Sequence, residues 1–210
     1  MIYFDASATT LQKPSAVRRA VEEALCHMSS PGRGGYPSTR RAEELLLTAR
    51  TELGEMFGVS DPQRVVFTSN ATHGLNIAIR TLVHDGSQVV ISGYEHNAVT
   101  RTLHAFRDLD LRVADGPLFD SAAMVHRFRE LIGPETDCVI CTHVSNVFGF
   151  VLPVEAVAAI CRERGVPLIV DASQSAGTLP VDLEGWGAAF VAMPGHKGLY
   201  GPQGTGILLC

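Results

Sequence analysis

Seven short runs rich in Val, Ile and other apolar residues recur at 65–68, 88–92, 111–114, 138–142, 167–171, 189–193 and 205–209. Most of them are apolar at successive positions rather than at alternate ones, as expected of strands buried on both faces. Helical periodicity fills the gaps at about 71–83, 96–108, 121–132 and 154–164. Strand and helix signals alternating through short loops predict an α/β layer fold. Two helices precede the first strand. Val17, Ala20, Val21, Ala24, Leu25 and Met28 mark the apolar face of one, opened by Pro14-Ser15. Ala42, Leu45, Leu46, Ala49, Leu53, Met56 and Phe57 mark the other, ended by Gly58. The segment from Ser30 to Gly35, with four glycines and prolines around Arg33, reads as a loop. With no internal repeat and no low-complexity tract, 210 residues make one large domain.

Several function classes fall away. Seventeen basic against twenty-two acidic residues give a net charge of −5, without a basic block, so nothing resembles a nucleic-acid footprint. The start, Met1-Ile2-Tyr3-Phe4-Asp5, lacks the pattern of a signal peptide. The most apolar stretch, from Val147 to Ile160, is broken by Gly149, Pro153 and Glu155, so no membrane span is expected and a cytoplasmic address is. Five cysteines without an export signal argue against a disulfide framework. Cys138 and Cys141 form a C-x-x-C inside a strand, where residues three apart face opposite ways, and no metal site is expected. Cys26 and Cys161, in helical patterns, read as packing residues. Neither a Rossmann fingerprint nor a P-loop is present.

Five segments carry chemistry, and four of them follow a strand, at the edge where open α/β sheets bind ligands. Thr68-Ser69-Asn70-Ala71-Thr72 runs from a strand into a helix, whose first amides and the Thr72 hydroxyl suit an anion; the same residues also make ordinary helix caps. His96, in Tyr94-Glu95-His96-Asn97-Ala98, can stack on a planar group or move protons, or simply cap a helix. Asn146, shortly before Gly149, offers an uncharged donor or a turn residue. Asp171 ends an apolar strand, where a carboxylate needs a cation or hydrogen bonds, and could equally be a helix cap. Lys197, between His196 and Gly198, can approach an aldehyde closely, though most lysines are only solvated.

In their order these segments resemble the class V aminotransferase family of pyridoxal-phosphate (PLP) enzymes, and within it the cysteine desulfurases. The matching text is Asp5-Ala6-Ser7-Ala8-Thr9-Thr10, Asn70-Ala71-Thr72, Glu95-His96-Asn97-Ala98, His143-Val144-Ser145-Asn146, Asp171-Ala172-Ser173-Gln174 and Gly195-His196-Lys197. The resemblance implies a three-layer α/β/α fold with a mixed, mostly parallel seven-stranded sheet. It implies one PLP-binding large domain over 1–210, with an N-terminal arm and helix over 1–35 and the sheet core over 36–210. It further implies that Lys197 forms the imine with PLP and moves protons, and that His96 stacks on the ring and serves catalysis. Asp171 pairs with the pyridine nitrogen, Asn146 and Gln174 bind the phenolic oxygen, and Ala71 (backbone), Thr72 and His196 hold the phosphate. L-cysteine as substrate, a homodimer and a sulfur-acceptor protein follow from the same source. The rival expectations are another class V transamination or lyase reaction, or a non-catalytic PLP-fold module that needs a partner chain.

Three positions depart from the pattern. Pro194 stands where many desulfurases have a phosphate-binding serine, His73 replaces a common glutamate, and Ala6 replaces a larger residue. The sequence ends at Cys210, whereas the family continues into a C-terminal small domain bearing the reactive cysteine and the carboxylate-binding arginine; that domain is expected to be absent. Its loss is expected to leave apolar surface uncovered.

Overall fold

The computed structural model describes residues 2–210. Seven strands form one sheet: β1 (Val65–Thr68), β2 (Gln88–Ser92), β3 (Asp110–Ala114), β4 (Cys138–Thr142), β5 (Leu168–Asp171), β6 (Phe190–Pro194) and β7 (Gly206–Leu209), in the spatial order β1-β7-β6-β5-β4-β2-β3. β7 runs antiparallel to both β1 and β6, and the remaining pairs are parallel. This is the mixed, mostly parallel arrangement expected.

Side-chain alternation along the strands feeds two cores, one on each face. Val89, Ile91, Cys138, Ile140 and Ile169 pack with α3 (Ala71–Leu82) and α4 (Asn97–Leu103). Val90, Val139, Cys141, Leu168 and Val170 pack on the other face with α5 (Ser121–Leu131) and α6 (Val154–Arg164). The two cysteines of the C-x-x-C therefore lie in different cores, as their spacing requires. Helices on both faces complete three layers. α3 lies on the sheet at Gly74, where a Cβ would make ordinary contact with Ala192 and Leu208 at 3.4 and 3.6 Å.

Three local expectations change. α4 stops at Leu103 rather than near 108, because tertiary bonds replace helical ones: the Arg107 amide donates to Asp85 Oδ1 at 3.0 Å and its carbonyl accepts from Gly86 at 2.9 Å. A four-residue helix, α7 (Leu183–Trp186), escapes periodicity because it is one turn long. It is capped by Asp182, closed by Gly187 in the left-handed region, and buries Leu183 and Trp186. The greater difference lies at the N-terminal end. α1 (Ser15–His27) has its periodic apolar face but buries no residue, with Val21 41% and Leu25 81% exposed. Cys26 is exposed on the same helix, not packed, while Cys161 is buried. α2 (Pro37–Met56) buries Thr39, Ala42 and Gly54 but leaves Leu45, Leu46 and Met56 open. No helix among the described residues is long and apolar enough to cross a membrane.

Candidate active site

Strand order determines where a cavity can open. From β2 the chain crosses outward to β3, whereas from β4 it crosses the other way through β5 and β6. The loops after β2, β4, β5 and β6 consequently diverge at the carboxyl ends of neighbouring strands, leaving a crevice between them. A cavity of about 220 Å³ occupies it, and Ala71, Thr72, His96, Asn146, Asp171, Gln174, His196 and Lys197 all line it. Every site residue singled out in the sequence reaches this one place. Pro194 also lines the cavity, offering no hydroxyl there.

At one end lies the start of α3. Asn70, not Thr72, is its cap: Asn70 Oδ1 accepts from the His73 amide at 2.8 Å. The amides of Ala71 and Thr72, at the first helical positions, have no intrahelical acceptor by geometry and sit with the positive end of the helix dipole. Such a terminus suits a phosphate.

His96 both caps α4 and lines the cavity. Its Nδ1 accepts from the Ala98 amide at 3.0 Å, so in the neutral ring the proton resides on Nε2. The capping and functional readings of this residue are compatible, because they use different nitrogens.

Asp171 ends β5 and is only 2% exposed. Its Oδ1 accepts from the Ser173 amide at 2.9 Å, and it forms no ion pair among the described residues. A buried carboxylate without a cation facing a cavity is costly in isolation and suits a ligand that brings a proton or positive charge.

Lys197 lies in the turn after β6. Burial pushes its amine below the ordinary lysine range, and the Asp171 carboxylate pulls it part of the way back. The neutral, nucleophilic form is thus more accessible than on a surface lysine. This turn is packed tightly: a side chain on Gly198 would collide with the Ala176 carbonyl, and one on Gly177 would lie 2.5 Å from the Gly198 carbonyl.

An N-terminal strap, absent from the sequence reading of the site, holds the same turn. Thr9 Oγ1, Thr10 N, Thr10 Oγ1 and Lys13 Nζ all donate to the His196 carbonyl, at 3.0 to 3.1 Å. Gln174 Nε2 donates to the Ser7 carbonyl at 3.0 Å, which leaves the other amide hydrogen available to the cavity. Because Thr9 Oγ1 spends its hydrogen on the His196 carbonyl, its 3.0 Å contact with His196 Nδ1 has the ring N–H as donor. His196 Nε2 is then a donor only when the ring is protonated. Burial, with help from the charges of Lys197 and Lys13, disfavours that state until an anion arrives.

Glu95 adds a second buried carboxyl near the site. Its carboxyl is buried between the ends of β2 and β4, with Oε1 accepting from Ser92 Oγ at 2.5 Å and from the Thr142 amide at 2.6 Å. The signal was present in the sequence: like Asp171, it is a carboxylate just past a buried apolar strand.

No cysteine lines the cavity among the described residues. Cys138, Cys141 and Cys161 are buried and their thiols pushed up by burial, that of Cys161 to about 12.

Comparison with known proteins agrees with this geometry. The family model for aminotransferase class V matches residues 2–210. The chain is 34% identical over 215 residues to a probable cysteine desulfurase of Methanothermobacter thermautotrophicus, covering 100% of this chain and 52% of that protein. It is 32% identical over 218 residues to the cysteine desulfurase IscS of Shewanella denitrificans, covering 99% of this chain and again 52% of the relative. Among solved structures, the apo cysteine desulfurase from Thermococcus onnurineus superposes with a TM-score of 0.88 at 29% identity, over 99% of this chain and 53% of that one. The chain spans about half the length of the relatives it matches.

Proposed function

Because the chain belongs to the aminotransferase class V family, we propose that its cavity holds pyridoxal 5′-phosphate and that it serves a cysteine desulfurase reaction. In that reaction L-cysteine and a thiol become L-alanine and a persulfide, so that the sulfur leaves carbon and is taken up by the thiol. The observation that carries the cofactor reading is the convergence of a helix start, an unpaired buried carboxylate and a half-buried lysine on one cavity. When bound, the cofactor supplies an aldehyde for the lysine and a ring that accepts electrons from the substrate.

The chain's own residues divide that work. The first amides of α3, with the Thr72 hydroxyl, hold the phosphate, and His196 adds Nε2–H once the anion has charged its ring. Asp171 would accept from the cofactor's ring N–H and favour the protonated nitrogen. Asn146 and the free Gln174 amide hydrogen orient the phenolic oxygen. His96 would pack against the cofactor, and with its Nδ1 tied to Ala98 it would exchange protons through Nε2. Lys197 Nζ would hold the cofactor's aldehyde and would carry protons within the cavity. No thiol among the described residues lines the cavity, so the sulfur-accepting thiol has to be brought to it. A homodimer and a sulfur-accepting protein in the cytoplasm belong to the same reading.

Adding pyridoxal phosphate to the purified chain tests the cofactor reading. A visible absorption band should develop, borohydride should trap the cofactor on Lys197, and K197A should lose both. A chain that stays colourless defeats it. Alanine and persulfide as products support the desulfurase reading, whereas keto-acid formation favours transamination.

A further inference from the structure

We propose that Glu95 is a positioning residue: as a neutral acid it ties the His96 turn to the end of β4 and leaves Asp171 the lone carboxylate charge beneath the cavity. The two oxygens of Glu95 have opposite surroundings. Oε1 accepts two hydrogen bonds, from Ser92 Oγ and the Thr142 amide, which is what a carbonyl oxygen of a protonated acid does. Oε2 is buried with no hydrogen-bond partner among the described residues. An ionised carboxylate would spread charge onto that bare oxygen, the costly arrangement; a proton placed there removes the charge.

The surrounding elements favour the same state. β2 contributes the Ser92 hydroxyl, β4 the Thr142 amide and the buried Cys141 thiol, and β5 the Asp171 carboxylate; Lys197, beyond Asp171, responds to that carboxylate. Thr142 and Asp171 are register partners on β4 and β5, so Glu95 is anchored one strand away from the cavity's acid. Burial pushes the Glu95 carboxyl up to about 7, with the Asp171 charge adding to the rise and the bonds from Ser92 and Thr142 opposing it. His96 follows Glu95 directly, and its ring caps α4. The Glu95 bonds thus set where the turn leaves the sheet, and through it where the imidazole stands.

The substitution E95Q keeps a carbonyl oxygen for both donors and can never ionise. Denaturant unfolding of the ligand-free chain tests the proton without any reference to the cofactor. A carboxyl raised in the fold destabilises the native state as pH rises from its unfolded value through about 7. The stability of the unsubstituted chain relative to E95Q should therefore fall between about pH 4 and about pH 8, moving its unfolding midpoint to lower denaturant than that of E95Q. Parallel profiles at both pH values overturn the neutral acid. Pyridoxal phosphate titration tests positioning, and this part rests on the function proposed above. E95Q should bind within about twofold of the unsubstituted chain, whereas E95A, which strands the Thr142 amide and the Ser92 hydroxyl, should bind about tenfold more weakly. Equal weakening by E95Q and E95A overturns the positioning role. If no variant binds the cofactor, the functional reading fails, while the unfolding profiles still decide the state of Glu95.

Discussion

α1 and α3 carry apolar stripes of the same kind, yet their fates differ. α3 buries Ala71, Gly74, Leu75, Ala78 and Ile79 against the sheet, whereas α1 buries nothing. An apolar face describes what a helix can pack against; a sheet or second helix at the right distance determines whether it does. The residues leading into α1 make the contrast sharper. Thr9, Thr10 and Lys13 clasp the His196 carbonyl, so the N-terminal segment belongs to the site even though the helix after it stands off the core. Stability resides mainly in the sheet and its helices, while the arm acts on the geometry of one turn.

The widest separation should come from deleting equivalent bulk in the two regions. I169A empties a fully buried position of β5 and should cost about 3 kcal/mol in urea unfolding, and L25A on α1 should cost less than about 0.5 kcal/mol. Equal losses would mean that α1 is packed in solution. Next in size is the clasp. Replacing Thr9 and Thr10 together by valine should weaken pyridoxal phosphate binding about tenfold while shifting stability by about 1 kcal/mol or less, since only partly exposed hydrogen bonds are removed. A large stability loss with unchanged cofactor affinity would make the strap a folding element.

A smaller effect concerns pH. In the proposed reading His196 would bind phosphate through Nε2 only as the cation, and its surroundings hold the free imidazole below its ordinary range. Phosphate affinity should fall by a few-fold as pH rises through the imidazole range, and H196Q should flatten that dependence. A cofactor titration across neutral pH measures it. The smallest change in stability is expected from L25S together with L47S, within about 0.5 kcal/mol, because both side chains are exposed; sedimentation should show less self-association if their faces are sticky.

Much of the site could be read from the sequence because its residues follow strands whose apolar runs are conspicuous. Asp171 at the end of β5 and Lys197 after β6 stand at carboxyl ends that any parallel arrangement brings to one edge. Glu95 obeyed the same rule and was missed beside its more familiar neighbour His96. The segment from Asp5 to Thr10 stood out by resemblance, but its contact with the lysine's turn was not legible: Thr9 and His196 are 187 residues apart, and nothing local marks their meeting. α7 and the early end of α4 were illegible for related reasons, one too short for a period and the other ended by bonds from Asp85 and Gly86.

The sequence by itself determined the strands, their burial on both faces and the polar residues that cap them, since these follow from composition within a few positions. It also determined that Lys197 would be accompanied by an acid, an imidazole and a helix start. Only the tertiary structure decided which of two similar apolar helices would be covered, because burial depends on a partner surface that lies far away in the chain. It alone decided which nitrogen of His96 is free, which oxygen of Glu95 is bare, and which threonines hold the lysine's turn. Those are properties of distances between segments, and hydrogen bonds and desolvation act only where segments meet.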